Sequence, residues 1–194
     1  SYVSSRLVQQ GGMAATAMAA ASALGCHCRF YGATGNDHNG AFIRQVFRTH
    51  GIECHLQIFD EGGTAGSTVL VEKSSGRRII LHHTSIQVHD SLDLTIDLAG
   101  VHWLHLDGYW LTTALAAARQ AKAQHIPVSI DPSSRLLTHP RGGELLQLAD
   151  WLIPGRRFAE KLTSCTDMAH AATDLAERHP ASIIVTDGEH GCWL

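Results

Sequence analysis

The chain has 194 residues, 44% of them hydrophobic, with 15 lysines and arginines against 18 aspartates and glutamates. That apolar content suffices for a packed core and excludes wholesale disorder. A formal net charge of −3 without a long like-charged block leaves no footprint for nucleic acid or an anionic membrane.

The first ten residues, SYVSSRLVQQ, alternate as a strand does and lead into Gly11-Gly12, directly ahead of the alanine-rich MAATAMAAASALG. This run is too short to span a bilayer and no charged leader precedes it, so neither a membrane span nor a signal peptide is expected. Two readings of it compete. Alanine faces let a helix lie close against a sheet, whereas glycines without Cβ atoms let backbone N–H groups approach a hydroxyl or phosphate oxygen. Both can hold for one segment.

Next, CHCRFYGATG reads as a strand ending at a glycine turn, and HNGAFIRQVFRTHG as a helix with Phe42, Val46 and Phe47 on one face and Gly51 as its C-cap. Residues 54–83 interrupt this rhythm. Three strand-like runs are separated there by EGGTAG and SSGRR with no helix between them, which predicts an antiparallel meander or hairpin that the first ten residues could join. Alternation then resumes. VHWLHLDGY is a strand, TTALAAARQAKAQH a helix capped by Thr112 or Thr113, and IPVSIDP a strand stopped at Pro132. LADWLIPG is a short strand, RRFAEKLTS and MAHAATDLAERH are helices, and ASIIVTDGEHG is a strand with a turn. Such alternation implies a mostly parallel sheet with helices on both faces.

Five cysteines (Cys26, Cys28, Cys54, Cys165, Cys192) form no CxxC pair, which fits buried thiols in a reducing cytoplasm better than a disulfide scaffold. Cys26-His27-Cys28 could hold a metal, but no second ligand pair has zinc spacing. His102 and His105, three apart in one strand, fall on opposite faces.

Open α/β sheets bind ligands at the carboxyl ends of their strands. Thr34-Gly35-Asn36-Asp37, Asp107-Gly108-Tyr109, Asp131-Pro132-Ser133-Ser134-Arg135 and Thr186-Asp187-Gly188 all stand at such ends, and their convergence would make a cleft. Each alone is equally well a turn or a cap. The GxGxxG, GxxxxGK[ST] and GxSxG patterns are absent, which argues against dinucleotide-binding, P-loop and α/β-hydrolase chemistry.

Taken in order, GGMAATAMAAASALG, GATGNDHNGAFIRQVFRTHGIE, SSGRRIIL, IDPSSR, ADWLIPGRRFAEKLT and IIVTDGEHG resemble the pfkB (ribokinase-like) carbohydrate kinases over essentially the whole chain. The resemblance implies a doubly wound, mostly parallel α/β sheet with a small β-sheet lid. The lid segments would be residues 1–12 and 54–85, and the core residues 13–53 and 86–194. It also implies transfer of the γ-phosphoryl of ATP to a hydroxyl of a small sugar or sugar derivative, with ATP and Mg2+ as cofactors. The enzyme would be cytoplasmic and a homodimer through the lid, with no nucleic-acid or membrane partner.

Carried over by position, Gly11 and Gly12 match a Gly-Gly whose backbone touches sugar hydroxyls. Thr16 falls where most members carry a substrate-binding Asn and is similar to the sulfofructose-kinase branch, and Met13 replaces a usual polar residue. Arg78 matches a lid arginine, and Asp37 and Gly40 match a turn of structural role. Asp131 and Arg135 match a loop near phosphoryl transfer and magnesium, and Thr186, Gly188 and Gly191 match a turn that approaches the nucleotide phosphates. The metal ligands themselves are unknown.

Two departures stand out. The family's N-x-x-E reads here as Gly155-Arg156-Arg157-Phe158, which leaves Arg156 or Arg157 as a phosphate contact or as a solvated helix start. The G-A-G-D motif with the catalytic aspartate, expected after the last strand, does not occur before Leu194, and a first strand with a sugar-binding aspartate would precede Ser1. The expectation is therefore an interior piece of a longer kinase with no catalytic residue in this chain. A sugar- or nucleotide-binding pseudokinase is the alternative.

Overall fold

A computed structural model describes residues 3–84 and 90–194. The lid positions expected at residues 1, 2 and 85 lie outside them. The chain divides into two compact units, residues 1–88 and 89–194.

In the first unit, α1 (Met13–Ala23) precedes β1 (Arg29–Gly35), α2 (His38–Thr49) and β2 (Glu53–Phe59). β1 and β2 pair in parallel, from Arg29 opposite Glu53 to Gly35 opposite Phe59. Residues 54–59 thus leave the expected antiparallel meander. Parallel pairing needs a crossover, and α2 supplies it from the N-terminal side of β2. Of the three expected runs, the second and third, β3 (Gly66–Val71) and β4 (Arg78–His83), form an antiparallel hairpin, with Val71 opposite Arg78. Residues 3–10 form no strand despite their alternation, which by itself supplies no ladder partner. Ala15 and Ala19 of α1 pack with Cys28, Phe47 and Ile52, and the rings of Phe30 and Phe47 lie 4.9 Å apart. The alanine methyls are what let α1 come this close to the strands.

The end of β1 is held by a knot of polar groups. Asp37 caps α2 by accepting from Gly40 N at 2.7 Å, and it also accepts from Thr64 N at 2.8 Å and Thr64 Oγ1 at 2.5 Å. Gly35 N in turn donates to Thr64 Oγ1 at 3.0 Å. A Cβ on Gly40 would lie 2.3 Å from the Gly35 carbonyl oxygen, so the glycine is required by packing.

The second unit alternates more regularly. β5 (Leu104–Leu106), α3 (Leu111–Ala123), β6 (Val128–Ile130), α4 (Gly142–Leu146), β7 (Trp151–Leu152), α5 (Arg156–Thr163), α6 (Met168–Arg178) and β8 (Ser182–Ile183) follow in order. The four strands lie in the sheet order β5-β6-β7-β8, all parallel. Val128, Ile130, Leu152 and Ile183 face a core shared with Leu115, Ala118, Leu145, Phe158, Ala171 and Leu175 from the helices. His105, Ser129 and Trp151, in mutual register, occupy the opposite face, where Ser129 Oγ meets His105 Nδ1 at 2.8 Å. A last hairpin, β9 (Val185–Thr186) with β10 (Cys192–Trp193), closes the described chain.

The expected cap of α3 is not made by Thr112 or Thr113. Trp110 takes the N-cap position without a side-chain bond, while Thr112 N donates to Asp90 O and Thr113 Oγ1 accepts from Leu92 N, each at 2.7 Å. The threonines bind the arriving loop instead. Among the described residues no group of three or more His, Cys, Asp or Glu could hold a metal ion. All five cysteines are free, but only Cys28 is the buried thiol expected: Cys54 and Cys165 are half-buried, and Cys26 and Cys192, outside the packed core, are exposed.

The knot at Asp37 predicts two measurable effects. Gly40→Ala should lower stability by about 2 kcal/mol or more, because the nearest obstacle is backbone. Asp37→Asn should show a pH signature. Bonds from the Thr64 hydroxyl, then from Gly40 N, hold the Asp37 carboxyl below its usual range. Its folded value therefore lies under its unfolded one, and its contribution is complete above about pH 4 and fades as pH falls through the folded value. Urea unfolding should give a wild-type advantage over Asp37→Asn that is constant from neutral pH to about pH 5 and shrinks below about pH 4.

Candidate functional site

Parallel strands release the chain at a common end, so the turns after β5, β6, β7 and β9 stand along one edge of the second unit. β9 belongs to this series. Ile184 N donates to Leu152 O and Thr186 N to Pro154 O, both at 2.9 Å, and Gly155 bridges to Thr186 in parallel.

Asp107 and Asp131 occupy the first two turns. Asp107 Oδ1 accepts from Tyr109 N at 2.9 Å, and its carbonyl accepts from Ser133 N at 3.0 Å, which draws the two turns together. The Asp131 carboxyl is pushed above the usual range, first by burial and then by the charge of Asp107. Beside it, Ser133 is 9% exposed and its Oγ is buried with no hydrogen-bond partner among the described residues. Gly108, at φ +69°, packs so closely that a Cβ would lie 2.8 Å from Leu136 Cδ1.

Arg135 stands over this loop with its guanidinium 4.8 Å from the Tyr109 ring centroid and its Nη2 3.5 Å from Asp90 Oδ1. His139 Nε2 meets the other Asp90 oxygen at 2.9 Å. Arg135 is thereby oriented yet keeps part of its surface open to solvent. The donor set of two carboxylates and a hydroxyl is hard and oxygen-only. Mg2+ commonly takes one or two protein carboxylates and completes its shell with water and phosphate. A carboxylate whose charge is opposed by its surroundings is relieved by such a cation. The residues present fit magnesium.

The fourth turn is built differently. Gly188 (φ +57°) and Gly191 (φ +85°, ψ −128°) are exposed with open space about them, while Asp187 N donates to Gly191 O at 2.8 Å. Thr186, at the end of β9, is exposed beside them. The Asp187 side chain turns inward, 6% exposed, and receives a fork from Arg156: Nη2 to Oδ2 at 2.6 Å, and Nε to Oδ1. Arg156 holds that carboxyl below its usual range. Its Nη1 also donates to Glu160 Oε1 and Thr166 O, both at 3.2 Å. Arg156 is therefore not a free phosphate contact, although it stands part-exposed at the first position of α5, and Arg157 after it is exposed, as a solvated helix start would be. No sequence pattern joins residues 31 apart, and an aspartate before a turn glycine reads as a turn former.

Of the residues expected to line a site, Asp131, Arg135, Thr186, Gly188 and Gly191 share this edge of the second unit. The others belong to the first. Gly11 and Gly12 are exposed, and Gly12 (φ +98°, ψ 140°) caps α1 without a side-chain bond. A Cβ on Gly11 would meet nothing within 4 Å. Packing thus explains the alanines of α1 but not Gly11. The first-turn N–H groups of a helix have no partner within it, so this end offers donors to a polar ligand. Thr16 is exposed one turn on, its N–H bonded to Gly12 O at 2.9 Å. Arg78 opens β4 on the hairpin, where every strand residue is exposed.

The two glycines should separate by experiment. Gly12→Ala should cost about 1–3 kcal/mol from its φ alone, whereas Gly11→Ala should stay within about 0.5 kcal/mol of wild type in thermal denaturation.

Comparison with known proteins agrees with this geometry. The pfkB family carbohydrate kinase profile matches residues 2–194. A candidate ribokinase from Agrobacterium tumefaciens superposes with a TM-score of 0.82 at 25% identity, over 94% of this chain and 60% of that one. Adenosine kinase from Sinorhizobium meliloti gives 0.78 at 21% identity, over 94% and 59%. Fructokinase from Halothermothrix orenii gives 0.74 at 21% identity, over 94% and 70%. The fold is the ribokinase-like one expected from the sequence, and the chain spans about 60% of the length of the Agrobacterium protein.

Proposed function

This chain belongs to the pfkB family of carbohydrate kinases, and from that premise we propose that the protein transfers the γ-phosphoryl of ATP to a hydroxyl of a small sugar or sugar derivative. The observation that carries the reading is the shared edge of the second unit, where the carboxylates of Asp107 and Asp131 and the open glycine turn at Gly188 and Gly191 all follow the carboxyl ends of strands in one parallel series.

Phosphoryl transfer asks a protein for positioning and for neutralisation of charge, with little covalent work. Backbone N–H groups of the Gly188–Gly191 turn bind phosphate oxygens, with Thr186 beside them. Asp131, with Asp107 behind it, would hold Mg2+, which supplies neutralisation of the phosphate oxygens when bound. Arg135, oriented by Tyr109 and Asp90, adds a fixed positive charge. In the first unit, Gly11, Gly12 and the start of α1 take sugar hydroxyls, and Thr16 contributes one hydroxyl. Arg78 contacts the sugar or its phosphate from the hairpin. Exclusion of water around the bound sugar by the hairpin would suppress ATP hydrolysis. The base that accepts the hydroxyl proton is assigned to sequence present in the longer relatives and not covered by these 194 residues.

The hairpin also favours self-association. Val69, Val71 and Ile80 lie on one of its faces and Leu70, Ile79 and Leu81 on the other, each between 45% and 62% exposed. A two-stranded ribbon with both faces apolar needs two coverings. One face closes on the sugar, and the other meets a second copy to form a homodimer.

The test is sugar-dependent ADP release by the full-length protein, assayed over ketoses, aldoses, sugar acids and nucleosides. At least one substrate should stimulate release. Asp131→Asn should lower kcat/KM by about 10- to 100-fold or more, a loss that even outer partners of a bound metal can cause. The same substitution should leave the unliganded protein at least as stable as wild type, because burial and Asp107 oppose the charge it removes. Tight nucleotide binding with no sugar-dependent ADP release would replace the kinase with a nucleotide-binding protein.

A further inference from the structure

We propose that Arg156, acting through Asp187, is the positioning residue that sets the Thr186–Gly191 turn for nucleotide phosphates; this rests on the kinase reading for the identity of the ligand. The turn itself is built to be loose. It carries two left-handed glycines with open space around both, and its internal links are backbone bonds from Asp187 N to Gly191 O, His190 N to Asp187 O and Gly191 N to Gly188 O. Its one buried polar anchor is the Asp187 side chain, flanked by exposed Thr186, Gly188 and Glu189.

A carboxylate 6% exposed is costly unless paired. Arg156 pairs it through two parallel N–H donors, a geometry that fixes direction as well as distance. Nη1 donates to Glu160 and Thr166 O, so Arg156 cannot swing out toward a ligand without breaking this set of four bonds. The fork therefore ties the first turn of α5, at the end of β7, to the end of β9. It reinforces the backbone bridge from Gly155 to Thr186. Arg156 touches no ligand in this scheme. It holds the frame from which Gly188 and Gly191 present their N–H groups.

Trp193 provides a reporter, since its Nε1 lies 3.5 Å from Asp187 Oδ2. In the full-length protein, the dissociation constant of a non-hydrolysable ATP analogue is measured by calorimetry for wild type, Arg156→Ala and Arg156→Lys, together with that of the sugar found in the ADP-release screen. Thermal denaturation monitors folding, and tryptophan fluorescence follows the turn. Arg156→Ala should weaken the analogue at least about ten-fold and the sugar less than about two-fold. Free guanidinium at low concentration should restore part of the loss. Arg156→Lys, which keeps the charge and loses the fork, should fall between the two and carries the test if Arg156→Ala does not fold.

Unchanged nucleotide affinity in either variant, or equal weakening of sugar and nucleotide, would overturn the assignment. A wild type that binds the analogue, with the variants weakened as stated, sustains it even if no sugar stimulates ADP release, in which case only the kinase reading falls and the sugar arm is replaced by the fluorescence signal. A wild type that binds no nucleotide would remove both.

Discussion

A parallel strand cannot be followed directly by its partner, because the chain must first travel back to the starting edge. In the second unit β5, β6, β7 and β8 all obey this constraint, and α3 to α6 provide the returns. Every turn that leaves the carboxyl end of a strand is then brought to the same edge, whatever residues it holds. The same constraint acts once in the first unit, where α2 returns the chain from β1 to β2. The chemistry of the chain is arranged by that geometry. Asp107, Asp131 and Gly188 are far apart in sequence and lie along one edge because the strands before them run parallel.

Along that edge the protein treats two carboxylates in opposite ways. Asp187 is deeply buried and fully compensated by the Arg156 fork, which lowers its proton affinity. Asp131 is half-buried and faces another acid, which raises it. Groups driven apart in this manner usually have separate tasks. Asp187 is spent on holding a turn in place. Asp131 carries a charge its own surroundings oppose, and a cation is the natural relief. Arg135 is intermediate, oriented by Tyr109 and Asp90 but still accessible.

Much of this was legible from residue order. The alternation of β-branched and alanine-rich runs reported the parallel fold, because buried parallel strands such as VSI and helices such as ALAAARQA have distinct compositions. The helix end at Gly51, one residue past the cap at His50, and the turn at Gly188 announced themselves, and both glycines have positive φ. What resisted reading was partner choice. Residues 53–59 look like any amphipathic strand, and only the position of α2 decides that they pair with β1 rather than β3. SYVSSRLVQQ alternates as well, yet its described part finds no ladder. Long-range side-chain pairs were equally hidden. The Arg156–Asp187 fork, the Thr64–Asp37 bond and the Arg135–Asp90–His139 group join residues 27 to 49 apart in sequence with no periodicity to betray them. Thr112 and Thr113 had the right chemistry for a cap, but an incoming loop claimed them first.

The proposal to be tested is that the bare backbone at Gly11-Gly12 takes sugar hydroxyls and that the strand-end turns at Asp131 and Gly188 take the nucleotide phosphates and their cation. Amide hydrogen exchange of the full-length protein, with sugar alone, with Mg2+ and an ATP analogue, and with both, addresses it residue by residue. The account predicts slowed exchange at residues 11–16 with sugar and at 186–191 with nucleotide, with residues 131–135 slowed most when both are present. Slowed exchange confined to other surfaces, or a nucleotide that leaves 186–191 unchanged while protecting a different part of the chain, would contradict it.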